Sequence, residues 1–167
     1  KPHGYRHYPY GSVAAQTIGW VTLEQKKELF SDDKLLRYTE GEVSGRRPGV
    51  EYVCEDILRG RRGRIAYDID QNLVERTETQ FGRNVTITID IELQKKLQEC
   101  LQTYLHQEYS GPGMCAVVLD TATGDILAMV SLPTFDLNLI RSEYSRISSD
   151  RTMPMINRAI NKQYPPG

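Results

Sequence analysis

The sequence predicts an α+β protein in two parts: short strands and small helices first, then the opening of a more apolar sheet. Three observations carry this. The apolar fraction of 39% and the charged fraction of 26% are those of an ordinary globular chain. Short alternating runs dominate up to residue 90, and the stretch 91–109 then switches to helical spacing. After Gly111, two continuous apolar runs, MCAVVLD and DILAMVS, are joined by the tight turn TATG.

Taken in order, 8–20 reads YPYGSVAAQTIGW. Ser12 is placed to cap a short helix whose apolar face is Val13, Ala14, Ala15 and Ile18, and Gly19 suits the turn that ends it. WVTL, 20–23, follows as a strand. The charged stretch 24–42 reads as an excursion outside the core. Pro48-Gly49 marks a turn, and Val50, Val53, Ile57 and Leu58 predict one short helix over 51–58, stopped by Gly60. The segments 64–70 and 73–79 form a hairpin with Gln71-Asn72 at its tip. NVTITID, 84–90, alternates with Val85, Ile87 and Ile89 on one face and predicts a strand. Asp90 caps the long helix 91–109, whose stripe is Leu93, Leu97, Leu101 and Leu105, widened by Ile91, Cys100 and Tyr104. SGPG, 110–113, breaks it.

The unbroken apolar runs of the last hairpin predict a sheet covered on both faces. Two strands alone are marginal, so this second part is expected to need more strands than the chain carries. After Pro133 the remainder is polar until MINRAINKQYPPG, 155–167, a short helix or loop entering a turn. The change of character sets a domain boundary at Gly111, giving 1–110, which includes the helix 91–109, and 111–167.

Composition excludes several functions. A net charge of −1 gives no general attraction to nucleic acid or anionic lipid. No apolar run approaches the roughly 20 residues of a membrane helix, and no signal peptide is visible. Cys54, Cys100 and Cys115 lack CxxC spacing, and His3, His7 and His106 lack a third ligand, so neither a metal nor a cofactor is expected. There is no G-x-S-x-G, P-loop or G-x-G-x-x-G. One S-x-x-K occurs, Ser31-Asp32-Asp33-Lys34. At that spacing a lysine amine can act as base for a serine, but two intervening carboxylates hold this lysine charged. RGRRGR, 59–64, reads as a helix stop and a solvated turn rather than a phosphate site. Asn84-Val85-Thr86 is a glycosylation sequon only in a eukaryotic secretory setting.

The order of the segments resembles a class B penicillin-binding protein, the monofunctional D,D-transpeptidases of bacterial cell-wall synthesis. The blocks that carry the resemblance are RHYPYGSVAAQTIGWV, GVEYVCEDILRGRRGR, VTITIDIELQKKLQ, GMCAVVLDTATGDILAMVSLPTFDLN and NRAINKQYPPG. One departure is Gln16, where the family block often has histidine. The resemblance implies a pedestal (dimerisation) domain of short strands and helices, followed by the first hairpin of an incomplete transpeptidase domain.

In the family, the Pro-Gly turn is followed at once by the catalytic S-x-x-K, so the chain is expected to stop one residue short of the nucleophile. The later S-x-N and K-T-G motifs are not in it. No catalytic residue is therefore expected here. Structural or partner-docking candidates are Arg6, Gly11, Gly19, Gly49, Glu51, Arg59, Gly60, Gly63 and Arg64. The glycines suit tight turns, and the charged residues suit ion pairs. The resemblance further implies a membrane glycan polymerase of the SEDS type and other cell-wall synthesis proteins as partners. Stem peptides and β-lactams would bind only the full-length parent. The expected location is the extracytoplasmic side of the inner membrane, anchored by an N-terminal segment. The alternatives are a stand-alone interaction module and a penicillin-sensing or resistance relative.

Overall fold

A computed structural model describes residues 6–23, 43–46, 49–61, 63–107 and 113–163. They divide into two compact units. One takes the described residues between 21 and 86, and the other those from 6 to 20 and from 87 onward. The grouping does not coincide with a cut at 110/111, because the long helix packs with the later residues. The S-x-x-K at Ser31 and Lys34 and the segment 24–42 lie outside the described residues.

In the chain order, α1 (Ala15–Ile18) runs into β1 (Trp20–Leu23), which pairs with β2 (Val43–Arg46). The N-cap of α1 is Ala14 in a left-handed conformation (φ 55°), not Ser12. The Ser12 carbonyl instead accepts hydrogen bonds from Thr134 Oγ1 (2.8 Å) and Gln98 Nε2 (3.4 Å). The helix expected over 51–58 is two short helices, α2 (Val50–Val53) and α3 (Glu55–Arg59). They break at Cys54, whose φ of −100° and ψ of 17° leave the helical region. Each then closes on its own start: the Val53 amide bonds to the Gly49 carbonyl, and the Leu58 amide to the Cys54 carbonyl.

Gly60 (φ 74°) ends α3 and turns the chain into β3 (Gly60–Arg61), which pairs antiparallel with β6 (Gln80–Phe81). Between them β4 (Arg64–Tyr67) and β5 (Leu73–Thr77) form the expected hairpin, with an irregularity between Ala66 and Tyr67. Its tip closes when Asp68 Oδ1 accepts the Asn72 amide at 2.7 Å, and Gln71 takes a left-handed φ of 64°.

The alternating segment 84–90 is not a strand. Its last residues meet the later hairpin with single bonds, Thr88 Oγ1 to the Ile126 carbonyl (2.8 Å) and the Asp90 amide to the Leu127 carbonyl (2.9 Å). Asp90 caps the helix α4 (Ile91–Gln107) as expected, its carboxylate accepting the Glu92 and Leu93 amides at 3.0 Å.

The second unit is built on β7 (Met114–Leu119) and β8 (Ile126–Leu132), an antiparallel pair. Ala128, Val130 and Leu132 are fully buried on one face, while Val117 and Leu119 on the other are 44% and 54% exposed. The sheet is therefore covered on one face rather than both among the described residues. Every second residue of a strand aims its N–H and C=O away from a given neighbour. On β8 these groups belong to Leu127, Met129 and Ser131, and among the described residues none of them meets another strand. Asp90 takes Leu127, the Gln94 side chain takes both groups of Met129, and Gln16 takes Ser131. Beyond β8 lie α5 (Ile140–Ser148), which the polar stretch 134–152 did not suggest, and α6 (Arg158–Asn161). Ile140 and Ile147 of α5 join Ala15, Trp20, Phe135 and Leu137 in the core, where Trp20 meets Phe135 edge-to-face at 5.7 Å.

Candidate functional site

The residues singled out from the sequence do not gather in one place. Arg6, Gly11 and Gly19 belong to the second unit, and Gly49, Glu51, Arg59, Gly60, Gly63 and Arg64 to the first. Gly11 (φ 54°) offers its carbonyl to the Leu137 amide at 3.3 Å, and Gly19 (φ 76°) closes α1. Gly49 opens α2 at φ 131°, and Glu51 within it is buried. A Cβ at Gly60 would collide with the Gln80 carbonyl and so with the β3–β6 pairing. At Gly63 it would lie 2.7 Å from the Thr77 carbonyl. Arg59 ends α3 half-buried. Arg64 pairs with Glu75 at 3.7 Å, both side chains about half exposed, an arrangement that contributes about 0–1 kcal/mol.

Two constellations stand out once these positions are fixed. In the first unit, the β4–β5 ribbon carries an open, largely apolar surface, with Arg76 opposite Ile65 across the pair. Ile65, Tyr67, Leu73 and Val74 are each more than half exposed, and Ile69 at the tip is 98% exposed. A two-stranded ribbon rarely holds such a surface in water by itself. The charges around it are uneven. Both cations are matched on the ribbon, Arg64 with Glu75 and Arg76 with Glu78 (2.7 Å), leaving Asp68 and Asp70 at the tip. The Asn72 backbone and side-chain N–H groups hold the Asp68 carboxyl below the ordinary carboxylate range, so it stays ionised. The surface is thus apolar with an acidic end.

In the second unit, a set of buried polar side chains holds the loop that leads into α6. The Arg158 guanidinium donates to the Met153 carbonyl (3.2 Å) and to the Thr152 carbonyl. Gln16 Nε2 donates to the Pro154 carbonyl at 2.8 Å, and Ser131 Oγ to the Ile156 carbonyl at 3.0 Å. Ser131 Oγ also accepts the Arg158 amide at 3.0 Å, and Asn157 caps α6 by accepting the Ala159 amide. Gln16, Ser131, Asn157 and Arg158 are all buried. Burying such groups costs free energy unless every donor and acceptor finds a partner, which this arrangement supplies.

Sequence reasoning named Gln16 only as a departure from the family block and gave none of these residues a role, because glutamine, serine and asparagine carry no motif. The available signal was position: Gln94 and Gln98 lie one turn apart on the inward stripe of an amphipathic helix. Nearby is a cavity of about 110 Å³ whose wall includes Asp136, Glu143, Arg146 and Asp150. Arg146 is bonded to Glu143 there, and Thr152 Oγ1 donates to Asp150 Oδ1 at 2.7 Å.

The "Penicillin-binding Protein dimerisation domain" family model matches residues 1–87, and the "Penicillin binding protein transpeptidase domain" model matches 114–167. Among curated proteins, the chain is 32% identical to peptidoglycan D,D-transpeptidase MrdA of Escherichia coli, over 99% of this chain and 27% of that protein. It is 35% identical to MrdA of Haemophilus influenzae, over 99% of this chain and 26% of that one. The chain therefore spans about a quarter of the length of these relatives. Among solved structures, Pseudomonas aeruginosa PBP2 in complex with WCK 5153 superposes with a TM-score of 0.68 at 27% identity, covering 93% of this chain and 31% of that one. Helicobacter pylori PBP2 in its complex with MreC superposes with a TM-score of 0.70 at 22% identity, covering 96% and 30%.

Proposed function

The chain belongs to the class B penicillin-binding proteins, and on that premise we propose that it is part of a peptidoglycan D,D-transpeptidase. In this reading residues 1–87 serve as the pedestal that docks partners, and residues from 114 open the acyl-transfer domain. The observation that carries it is the order of the two family matches along one chain, together with relatives whose named activity is D,D-transpeptidation. The full-length protein cross-links stem peptides through a serine acyl-enzyme and is acylated by β-lactams at the same serine. In this reading that serine lies outside residues 1–167, which supply the frame. The protein works on the extracytoplasmic side of the inner membrane, held by an N-terminal anchor.

The test is fluorescent-penicillin labelling of the full-length protein. A single labelled serine outside residues 1–167 is expected. Labelling at Ser31, lost in Ser31→Ala, overturns the assignment. No labelling at all returns the protein to the interaction-module reading.

The pedestal's partner, in the same reading, is a membrane glycan polymerase of the SEDS type. The apolar, acid-tipped ribbon suits a segment of that polymerase carrying apolar residues beside lysine or arginine. The Helicobacter pylori structure, a PBP2 held by MreC, supports a cell-wall protein as the class of partner. Ile65→Asp together with Val74→Asp is expected to abolish capture of the polymerase by the full-length protein and leave penicillin labelling intact. Retained capture refutes the docking site. Loss of MreC binding with polymerase capture unchanged assigns the ribbon to MreC instead.

A further inference from the structure

The segment from Tyr8 to Gly19 lies in the second unit without a strand partner, and side chains from α4 and from the stretch between β8 and α5 satisfy part of its backbone. Asn138 brackets Tyr8, accepting its amide at 3.0 Å and donating to its carbonyl at 2.9 Å. Thr134 and Gln98 take the Ser12 carbonyl, and Gln98 Oε1 takes the Ala14 amide at 3.4 Å. One side chain of the segment answers in the other direction. Gln16, 4% exposed, aims its amide nitrogen at three carbonyls: Ser131 (3.2 Å) at the end of β8, Pro133 (3.2 Å) just after it, and Pro154 (2.8 Å) on the loop before α6. Three acceptors around one NH2 also fix which end of the amide is nitrogen.

The loop it touches is held nowhere by a backbone ladder. The carbonyls of 152, 153, 154 and 156 are each taken by a side-chain donor: Arg158 for the first two, Gln16 for the third and Ser131 for the last. Arg158 and Ser131 are local to the hairpin and the loop. Gln16 is the donor brought from far away in sequence, 138 residues from Pro154. The loop leads through Asn157 and Arg158 into α6.

We propose that Gln16 is a positioning residue for acyl transfer. Its amide sets the path of the loop 152–157 and, through α6, the placement of the segment that presents the nucleophile. The inference rests on the transpeptidase reading above. It adds a role for a residue that touches neither substrate nor any group that reacts.

The experiment uses the full-length protein and three variants. Gln16→Glu replaces the donating NH2 by an oxygen that faces three carbonyls. Gln16→Met keeps the length and removes the donor. Ile147→Ala lowers thermal stability in the same core and removes no hydrogen bond to the loop. Two readouts are taken: the β-lactam acylation rate constant, separated from the half-saturating concentration, and backbone amide exchange over 150–160.

The expected result for Gln16→Glu and Gln16→Met is faster exchange across 152–158. Acylation should slow on the order of 10- to 100-fold, as small misplacements of a reacting group do, with little change in half-saturation. Ile147→Ala should leave acylation within about twofold, since it removes no bond to the loop. Unchanged exchange in the loop, or equal slowing by Ile147→Ala, overturns the positioning role. A wild-type protein that is never acylated refutes the transpeptidase reading instead, and the exchange result still decides whether Gln16 holds the loop.

Discussion

Gln94 gives the sharpest test of how the second unit is held together. It is fully buried, and its amide pairs with both backbone groups of Met129, accepting the N–H at 2.7 Å and donating to the carbonyl at 3.0 Å. In effect one side chain stands in for a neighbouring strand at that point of β8. Gln94→Leu keeps the volume but orphans two backbone groups. Each orphaned buried group costs about 1–3 kcal/mol, so the variant should lose about 2–4 kcal/mol once water relieves the less buried one.

That is a large part of a typical stability of about 5–15 kcal/mol. At about 2–4 °C per kcal/mol for a protein of this size, the melting temperature should fall by roughly 5–15 °C. The assay is denaturation followed through Trp20, which is buried against Phe135 in the same unit. The comparator is Leu97→Ala, a half-buried leucine on the same helix, expected to cost less, roughly half of the 2–5 kcal/mol of a fully buried site. If Gln94→Leu is as stable as the wild type, or loses less than Leu97→Ala, the claim that this helix is pinned by its glutamines is wrong.

Two further outcomes follow from the first unit and its hairpin. Gly60→Val places a side chain at φ 74° against the Gln80 carbonyl, so it should open the β3–β6 pairing. In the full-length protein, partner-stimulated cross-linking should then fall while penicillin acylation stays near normal; an equal fall in both would mean the pedestal merely supports the catalytic fold. Asp68 titrates below its ordinary value because Asn72 N–H groups stabilise the carboxylate, so its contribution is full above about pH 4 and is lost as the pH drops through the lowered folded value. The stability difference between wild type and Asp68→Ala should therefore be greatest at neutral pH and shrink below pH about 4 in urea titrations; a gap that widens on acidification contradicts the assigned sign.

The parts of the fold that follow local rules were legible in the sequence. Asp90 before an amphipathic run, Gly60 after a short helix and a polar Gln71-Asn72 tip between alternating segments each act within a few residues of themselves, and the structure places them as read. The failures have a common cause. Residues 84–90 alternate like a strand, but a strand is defined by its neighbour, and here β8 meets only isolated groups of that stretch. The split at Cys54 and the helix α5 depend on what packs against them: α5 buries only Ile140 and Ile147, a signal too thin to rise above its polar surroundings. The stripe of α4 was read as leucine-led, whereas Leu93, Leu97, Leu101 and Leu105 are half-buried and the deepest positions are Gln94 and Gln98. Long-range side-chain-to-backbone bonds have no local spacing, so Gln16 and its loop could not be found by pattern. The family likeness was legible because it is carried by the order of many blocks, no one of which needs three-dimensional information.

The assignment of 8–20 to the second unit has a consequence for synthesis. A chain emerges from its N-terminus, and the partners of Tyr8 and Gln16 lie 130 and 138 residues later. At about 5–20 residues per second, that stretch waits on the order of ten seconds for its acceptors, while the whole sequence of the first unit is translated in the interval. The first unit can therefore complete itself before the second can close, and during that delay the apolar side chains around Trp20 have no native neighbours to bury them. Residues 8–20 are thus open to chaperone capture until the second unit closes, and slowing translation after residue 86 should prolong that exposure without disturbing the earlier unit.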